Sequence, residues 1–263
     1  MNILDEIVAF KKVEVEKRKQ EMPLSHLEKL PLFSTPAYSL KRFLLDGTKT
    51  GIIAEFKRKS PSKGIINDRS GVIDVTSAYA NNGASGLSVL TDHHFFGGSV
   101  DDIISARINQ IPILRKEFII VEYQIIEAKA IGADAILLIA AILTPQQVKD
   151  YTSTAHELGL EVILEIHDDN ELEHINERVD IVGVNNRNLK TFEVDLEQSV
   201  KLSRHIPVEK IRITESGINK IEDIAYLKQF GYKGFLIGEN FMKQPDPGLA
   251  FMKFAAELNG LRR

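Results

Sequence analysis

Carboxylates, lysines and amides recur in this chain where apolar runs would otherwise continue. Glu55 and Lys57 close the run Ile52-Ile-Ala-Glu-Phe56, Lys116 lies in Ile113-Leu-Arg-Lys-Glu-Phe118, and Glu165 interrupts Val162-Ile-Leu-Glu-Ile166. Asn185 and Arg187 follow Ile181-Val-Gly-Val184, Glu215 follows Ile211-Arg-Ile-Thr214, and Glu239 follows Phe235-Leu-Ile-Gly238. Side chains two apart on a strand share a face, so Glu55 points with Lys57, Asn185 with Arg187, and Lys116 with Leu114 and Phe118. An ammonium held in a dry pocket can stabilise the negative charge that develops on an attacked carbonyl oxygen and can donate its proton, while a nearby carboxylate can take one. For any one of these charges a structural ion pair is the ordinary explanation. Their concentration at the ends of strands is not.

The elements that must position them are legible from the spacing. Two further apolar runs, Leu87-Ser-Val-Leu90 and Ala135-Ile-Leu-Leu-Ile139, bring the number to eight, and segments with apolar spacings of three and four lie between the runs. Examples are Val148, Tyr151, Ala155 and Leu158 before Gly159, and Ile221, Ile224, Leu227 and Phe230 before Gly231. Alternating strands and helices with short connections require parallel strands and right-handed crossovers. Eight units over residues 51–258 predict an α/β fold, a (β/α)8 TIM barrel. An open doubly wound sheet would carry fewer strands and a G-x-G-x-x-G after the first, where this chain has Lys57-Arg-Lys-Ser60-Pro61-Ser-Lys63-Gly64. In such a barrel the active site lies at the carboxyl ends of the strands, where six of the eight place polar or charged groups.

Residues 1–50 form a helical extension: Ile3, Ile7, Phe10 and Val13 to Val15 share one helix, and Leu40 to Leu45 form a second after Pro36. The extension must plug the barrel bottom or lean over its top, and periodicity leaves both open. Residues 1–263 read as one domain. The Lys11 to Lys19 run, interspersed with glutamates, reads as a solvated face. His93-His94 reads as a polar loop. His167, on the face of Glu165, either assists it or is a hydrogen-bonded strand-end histidine.

Ser216-Gly217 and Gly238 place small residues after strands 7 and 8, where backbone N–H groups can cradle a phosphate. The 263 residues contain no cysteine, which excludes a disulfide framework, a thiolate metal site and a cysteine nucleophile. With 33 basic and 37 acidic side chains the net charge is −4, unlike a nucleic-acid binder. No apolar run approaches the roughly 20 residues of a membrane span, and the amino terminus does not read as a signal peptide. A cytoplasmic protein is expected, with no metal assigned.

Several longer stretches carry a resemblance. Ile53-Ala-Glu55-Phe-Lys57-Arg-Lys-Ser60-Pro61-Ser-Lys63-Gly64, Ser88-Val-Leu-Thr91-Asp92 through Phe96-Gly97-Gly98-Ser99, Leu114-Arg-Lys116-Glu-Phe118-Ile, Leu164-Glu165-Ile-His167, Gly183-Val-Asn185-Asn-Arg187-Asn-Leu189 and Glu215-Ser216-Gly217-Ile218 resemble the indole-3-glycerol-phosphate synthase family over essentially the whole chain. The resemblance implies ring closure of 1-(2-carboxyphenylamino)-1-deoxyribulose 5-phosphate to indole-3-glycerol phosphate in tryptophan biosynthesis, with loss of CO₂ and water and no cofactor. It implies Lys116 as general acid, Glu165 as general base, and Glu55 and Lys57 at the reacting centre. Asn185 would position the ribulose hydroxyls, Arg187 would lie near the anthranilate carboxylate, and Phe118 would form an aromatic wall. Ser216, Gly217 and Gly238 match the phosphate cup, and Ser60 and Glu215 fall in substrate-contacting stretches.

Glu239 departs from the pattern, because a carboxylate beside a phosphate is repelled; the backbone N–H can still donate there with the side chain turned outward. The implied partner is a small phosphorylated substrate, with neither nucleic acid nor membrane. A monomer is implied, open to association with other enzymes of the tryptophan pathway. The alternatives are another sugar-phosphate barrel, such as phosphoribosylanthranilate isomerase, or a non-catalytic phosphometabolite-binding barrel. The isomerase is expected to use a cysteine at the end of strand 1, and the silent barrel would have lost the lysines and glutamates.

Overall fold

The computed structural model describes residues 3–189 and 191–260. Eight parallel strands, β1 (Ile52–Phe56), β2 (Gly86–Leu90), β3 (Ile113–Lys116), β4 (Ala135–Ile139), β5 (Glu161–Ile166), β6 (Ile181–Asn185), β7 (Ile211–Glu215) and β8 (Tyr232–Ile237), close into a barrel. Closure is made by β1 pairing with both β2 and β8, for example Glu55 with Ser88 and Ala54 with Ile237. Seven of the eight strands are followed by α-helices, from Val72–Asn81 to Pro247–Gly260. The fifth differs from expectation: after β5 the chain makes only a 3₁₀ stretch, Asp169–His174, begun by the Asp168 carboxylate accepting from the N–H of Asn170.

Period-two alternation divides the apolar side chains into two cores. Ile53, Leu114, Leu137, Ile163, Ile181, Ile213 and Leu236 fill the barrel interior. Their neighbours, including Ile52, Phe56, Val89, Ile136, Leu164 and Val182, face outward and pack against helix residues such as Val148, Ile224, Leu227 and Phe251. The inward series continues toward the carboxyl ends as Glu55, Lys116, Glu165, Asn185 and Glu215. On β1, β3, β5 and β7 the inward face therefore passes from apolar filling to charge within two residues.

The amino-terminal extension does both things that periodicity left open. Helix α1 (Ile3–Glu21) places Ile3, Leu4 and Ile7 over the carboxyl ends of the strands. After the short helix α2 (Leu24–Leu27), helix α3 (Leu40–Leu45) seals the opposite end, with Leu40 and Leu44 joining the interior core. Gly86 admits this plug, since a Cβ there would lie 2.7 Å from Leu40 Cδ1.

Three local expectations are corrected. Lys11 is 1% exposed and not solvated; its ammonium lies 2.8 Å from Asp92, 3.0 Å from Glu117 and 2.5 Å from Glu14. His93 and His94 open a short helix, His93–Phe96, because the Asp92 carboxylate accepts from the N–H groups of Phe95 and Phe96 and Gly97 ends the turn at φ 66°. Beyond β1 the chain forms a hairpin, Lys59–Ser60 against Gly64–Ile65, and β3 stops at Lys116, so Phe118 lies past the strand.

Candidate active site

Alternate strands β1, β3, β5 and β7 deliver Glu55, Lys116, Glu165 and Glu215 to the mouth of the barrel. Lys116 Nζ lies 2.9 Å from Glu165 Oε2 and 2.8 Å from Glu215 Oε2, so one ammonium joins two carboxylates from non-adjacent strands. Lys57 Nζ donates to Glu55 Oε1 at 2.6 Å, the pairing expected of side chains two apart. Asn185 Nδ2 donates to Glu165 Oε1 at 3.1 Å, and Asn185 Oδ1 accepts from the Arg187 N–H at 3.0 Å.

Burial acts against the charge on Lys116, but the carboxylates of Glu165, Glu215 and Glu55 outweigh it and raise its pKa. Burial likewise opposes ionisation of Glu165, where Lys116 and His167 prevail and hold the carboxyl well below its usual range. Glu215 goes the other way: burial, reinforced by the charge of Glu165, pushes it up to about 8. Near neutral pH the site therefore holds a charged lysine, an ionised glutamate and a protonated glutamate within hydrogen-bond reach of one another. Such a set can both give and accept protons.

Ser60, Phe118, Arg187 and Ser216 line the same cleft as Glu55, Lys57, Lys116, Glu165, Asn185 and Glu215. Gly217 and Gly238 line a cavity that continues it and shares Glu55, Lys57, Arg187, Glu215, Ser216 and Glu239. Ser216 and Gly217 have φ of 69° and 79°. Gly217 is required twice over, because a Cβ would also collide with Val194. Glu239 lines both cavities, its carboxylate 3.7 Å from Arg187 Nη2 and 3.9 Å from Lys63 Nζ. Among the described residues no group of three or more His, Asp or Glu is disposed to hold a metal ion.

Sequence reasoning missed the apolar lid of Ile3, Leu4 and Ile7, together with Leu189 and Phe192 from the loop after β6. Phe192, at φ 61°, is a bulky residue in the left-handed region, and its carbonyl accepts from Arg187 Nη1 at 3.3 Å. Nothing in residue type marks these positions as site residues. Glu171, which accepts from the His167 N–H at 2.6 Å, was also missed, since it stands in a segment that reads as an ordinary polar crossover.

The comparisons with known proteins converge. The family description "Indole-3-glycerol phosphate synthase" matches residues 4–254. A protein of that name from Bacteroides thetaiotaomicron is 46% identical over 254 residues, 96% of this chain and 97% of its own length. Another, from Caldanaerobacter subterraneus subsp. tengcongensis, is 43% identical over 248 residues, 93% of this chain and 94% of its own. A tryptophan synthase α-subunit from Pyrococcus furiosus shares the fold with a TM-score of 0.61 at 17% identity, over 81% of this chain and 99% of that one. The barrel, its charged mouth and these matches agree that the chain belongs to the indole-3-glycerol phosphate synthase family.

Proposed function

We propose that the charged barrel mouth closes the indole ring of 1-(2-carboxyphenylamino)-1-deoxyribulose 5-phosphate, with Lys116 as general acid and Glu165 as general base. The observation that carries this assignment of roles is the Lys116 ammonium seated between Glu165 and Glu215 in the cleft. The ring carbon bearing the carboxylate attacks the ketone carbon, the substrate nitrogen supplies the electron pair, and the ketone oxygen takes a proton from Lys116. The bond to the carboxylate then breaks, CO₂ leaves, and its electron pair returns to the ring system. Departure of the new hydroxyl as water requires a second proton, and loss of one from the adjacent CH₂ carbon to Glu165 completes the indole.

Two protons enter and one leaves, so each turnover takes one proton from solvent. The substrate nitrogen serves as the electron relay, and the reaction needs no cofactor. Glu55 and Lys57 stand at the reacting centre. Asn185 holds Glu165 and the ribulose hydroxyls, Arg187 faces the leaving carboxylate, Phe118 walls the aromatic ring and Ser60 closes the cleft. Ser216 and Gly217 are consecutive left-handed residues, a backbone turn of the kind that can aim successive N–H groups at one anion, which supports a phosphate site at Ser216, Gly217 and Gly238. Arg187 and Lys63 offset the charge of Glu239 there. We further read the chain as one domain, acting as a cytoplasmic monomer able to associate with other enzymes of the pathway. Among the described residues no helix is long and apolar enough to cross a membrane.

The test is incubation of purified protein with the carboxyphenylamino substrate without added metal, following indole fluorescence and CO₂. The chain lacks tryptophan, so the product signal rises over tyrosine emission alone. Lys116→Ala is expected to abolish nearly all turnover while substrate still binds. Wild-type rates in that variant, or turnover of phosphoribosylanthranilate instead, would overturn the assignment.

A further inference from the structure

A second polar cavity lies beside the substrate cleft; Leu4, Asn185, Arg187 and Leu189 form the wall common to both, and one contact between side chains spans it. Glu165 lines the cleft and not the second cavity, whereas His167 lines the second cavity and not the cleft. His167 Nε2 is 3.2 Å from Glu165 Oε1, and Nδ1 is 3.3 Å from Glu171 Oε2. The backbone of His167 is fixed on both sides: its N–H donates to Glu171 at 2.6 Å and its carbonyl accepts from Gln198 Nε2 at 2.6 Å. Nε2 is buried yet has no aligned hydrogen-bond partner, so it meets Glu165 obliquely. Besides His167, six charged side chains line the second cavity, Asp5, Asp168, Glu171, Arg187, Glu193 and Asp195, and of these Asp5, Asp168, Glu193 and Asp195 are exposed at its rim.

We propose that His167 is a proton relay between this side cavity and Glu165, acting through Glu165 without touching substrate. The inference rests on the ring-closing reaction above, which consumes one solvent proton per turnover while the substrate occupies the cleft. Once Lys116 has given its proton away, the cation that kept Glu165 ionised is gone and the proton affinity of Glu165 rises. The His167 imidazolium then passes its Nε2 proton to Glu165, and Glu165, 2.9 Å from Lys116, passes a proton to the neutral amine. The imidazole regains a proton from water in the side cavity after a turn of its ring about Cβ–Cγ. Charge and protons balance, with one proton entering from solvent. Between uses, the carboxylates of Glu165 and Glu171 outweigh burial and keep the imidazole charged, its pKa raised to about 10.

The test compares His167→Ala and His167→Gln in multiple turnover. Removing the relay is expected to lower kcat about tenfold or more with little change in KM. Added imidazole should restore His167→Ala, whose truncated side chain opens onto the side cavity, and leave His167→Gln slow. The glutamine can bond both carboxylates but cannot carry a proton, so wild-type kcat in that variant reduces His167 to a structural bridge and overturns the relay. A His167→Ala enzyme at wild-type kcat, or one that imidazole does not accelerate, overturns it too. If the wild-type protein forms no indole product, the ring-closing reading itself fails; if it does and the variants behave as wild type, only the relay fails.

Discussion

Two buried lysines in this molecule have nearly the same neighbours and opposite uses. Lys11, on α1, lies between Asp92 and Glu117 with Glu14 as a third partner; Lys116 lies between Glu165 and Glu215. In both cases the carboxylates outweigh burial and raise the lysine pKa. The difference lies in what else holds the carboxylates. Glu117 also accepts from Thr91 Oγ1 and the Phe118 N–H, and Asp92 accepts from the N–H groups of Phe95 and Phe96. Burial notwithstanding, Lys11, Arg115, Thr91 and the Phe118 N–H hold Glu117 below its usual range. At Lys116 the two carboxylates crowd each other, and one is pushed up to about 8. A lysine whose anions are fully committed is a bolt. One whose anions compete for a proton is a reagent.

Replacing each lysine by an isosteric apolar residue should separate the two uses. Lys116→Met is expected to lower turnover by about three orders of magnitude or more, read as indole fluorescence, since both charge stabilisation and the acid are lost. Lys11→Met should leave turnover per folded molecule within a few-fold of wild type. It strands Asp92 without its cation and leaves Glu117 with Arg115 alone, at 3.8 Å, so the urea midpoint should fall by the equivalent of about 3–5 kcal/mol. A Lys11→Met protein of normal stability with abolished turnover would break the comparison.

The comparison also explains what could be read from residues alone. Inward-facing parity carries from Ile53 to Glu55 to Lys57, from Leu114 to Lys116 and from Ile163 to Glu165. Strand periodicity therefore led from the core directly to the reacting groups. Lys11 offered no such signal: a helix with glutamates at three- and four-residue spacings looks the same whether a lysine faces water or Asp92. Its burial depends on α1 docking against the residues just past β2 and β3 and against the helix Tyr123–Ala130, where Arg18 meets Glu127 at 2.8 Å and Tyr123 donates to the Met22 carbonyl. The side of the barrel on which an added helix settles is a tertiary property. For the same reason the lid of Ile3, Leu4 and Ile7 was invisible, whereas the barrel, formed by local alternation, was not.

The two sites should respond at different ends of the pH scale. Glu215 has its folded pKa raised from 4.5 to about 8, so folding takes up a proton between those values. Its contribution to stability is complete below pH 4.5 and is lost as the pH rises through 8. His167, raised from 6.5 to about 10, loses its contribution over a higher window in the same direction. Glu117 has a lowered pKa, and its contribution is present above 4.5 and lost in acid. Glu215→Gln should therefore flatten the decline of the melting temperature between pH 5 and 8 and leave the acid side untouched. Lys11→Met should shrink the acid-side loss instead. An unchanged slope between pH 5 and 8 in Glu215→Gln would show that Glu215 does not hold the extra proton.

The smallest effect is expected at the third partner of Lys11. Glu14 is three residues along α1, its side chain is 20% exposed, and it is not bound by the donors that fix Asp92 and Glu117. Glu14→Gln leaves Lys11 with two buried anions, so neither ion of the essential pair is stranded. The cost should be no more than about 1 kcal/mol, the range of partly exposed ion pairs. It should shrink further at high salt, which screens an exposed partner more than a buried one, and turnover should not change. If Glu14→Gln instead destabilises the protein as much as Lys11→Met, the three carboxylates act as one unit and Lys11 is held no more firmly by the buried anions than by the exposed one.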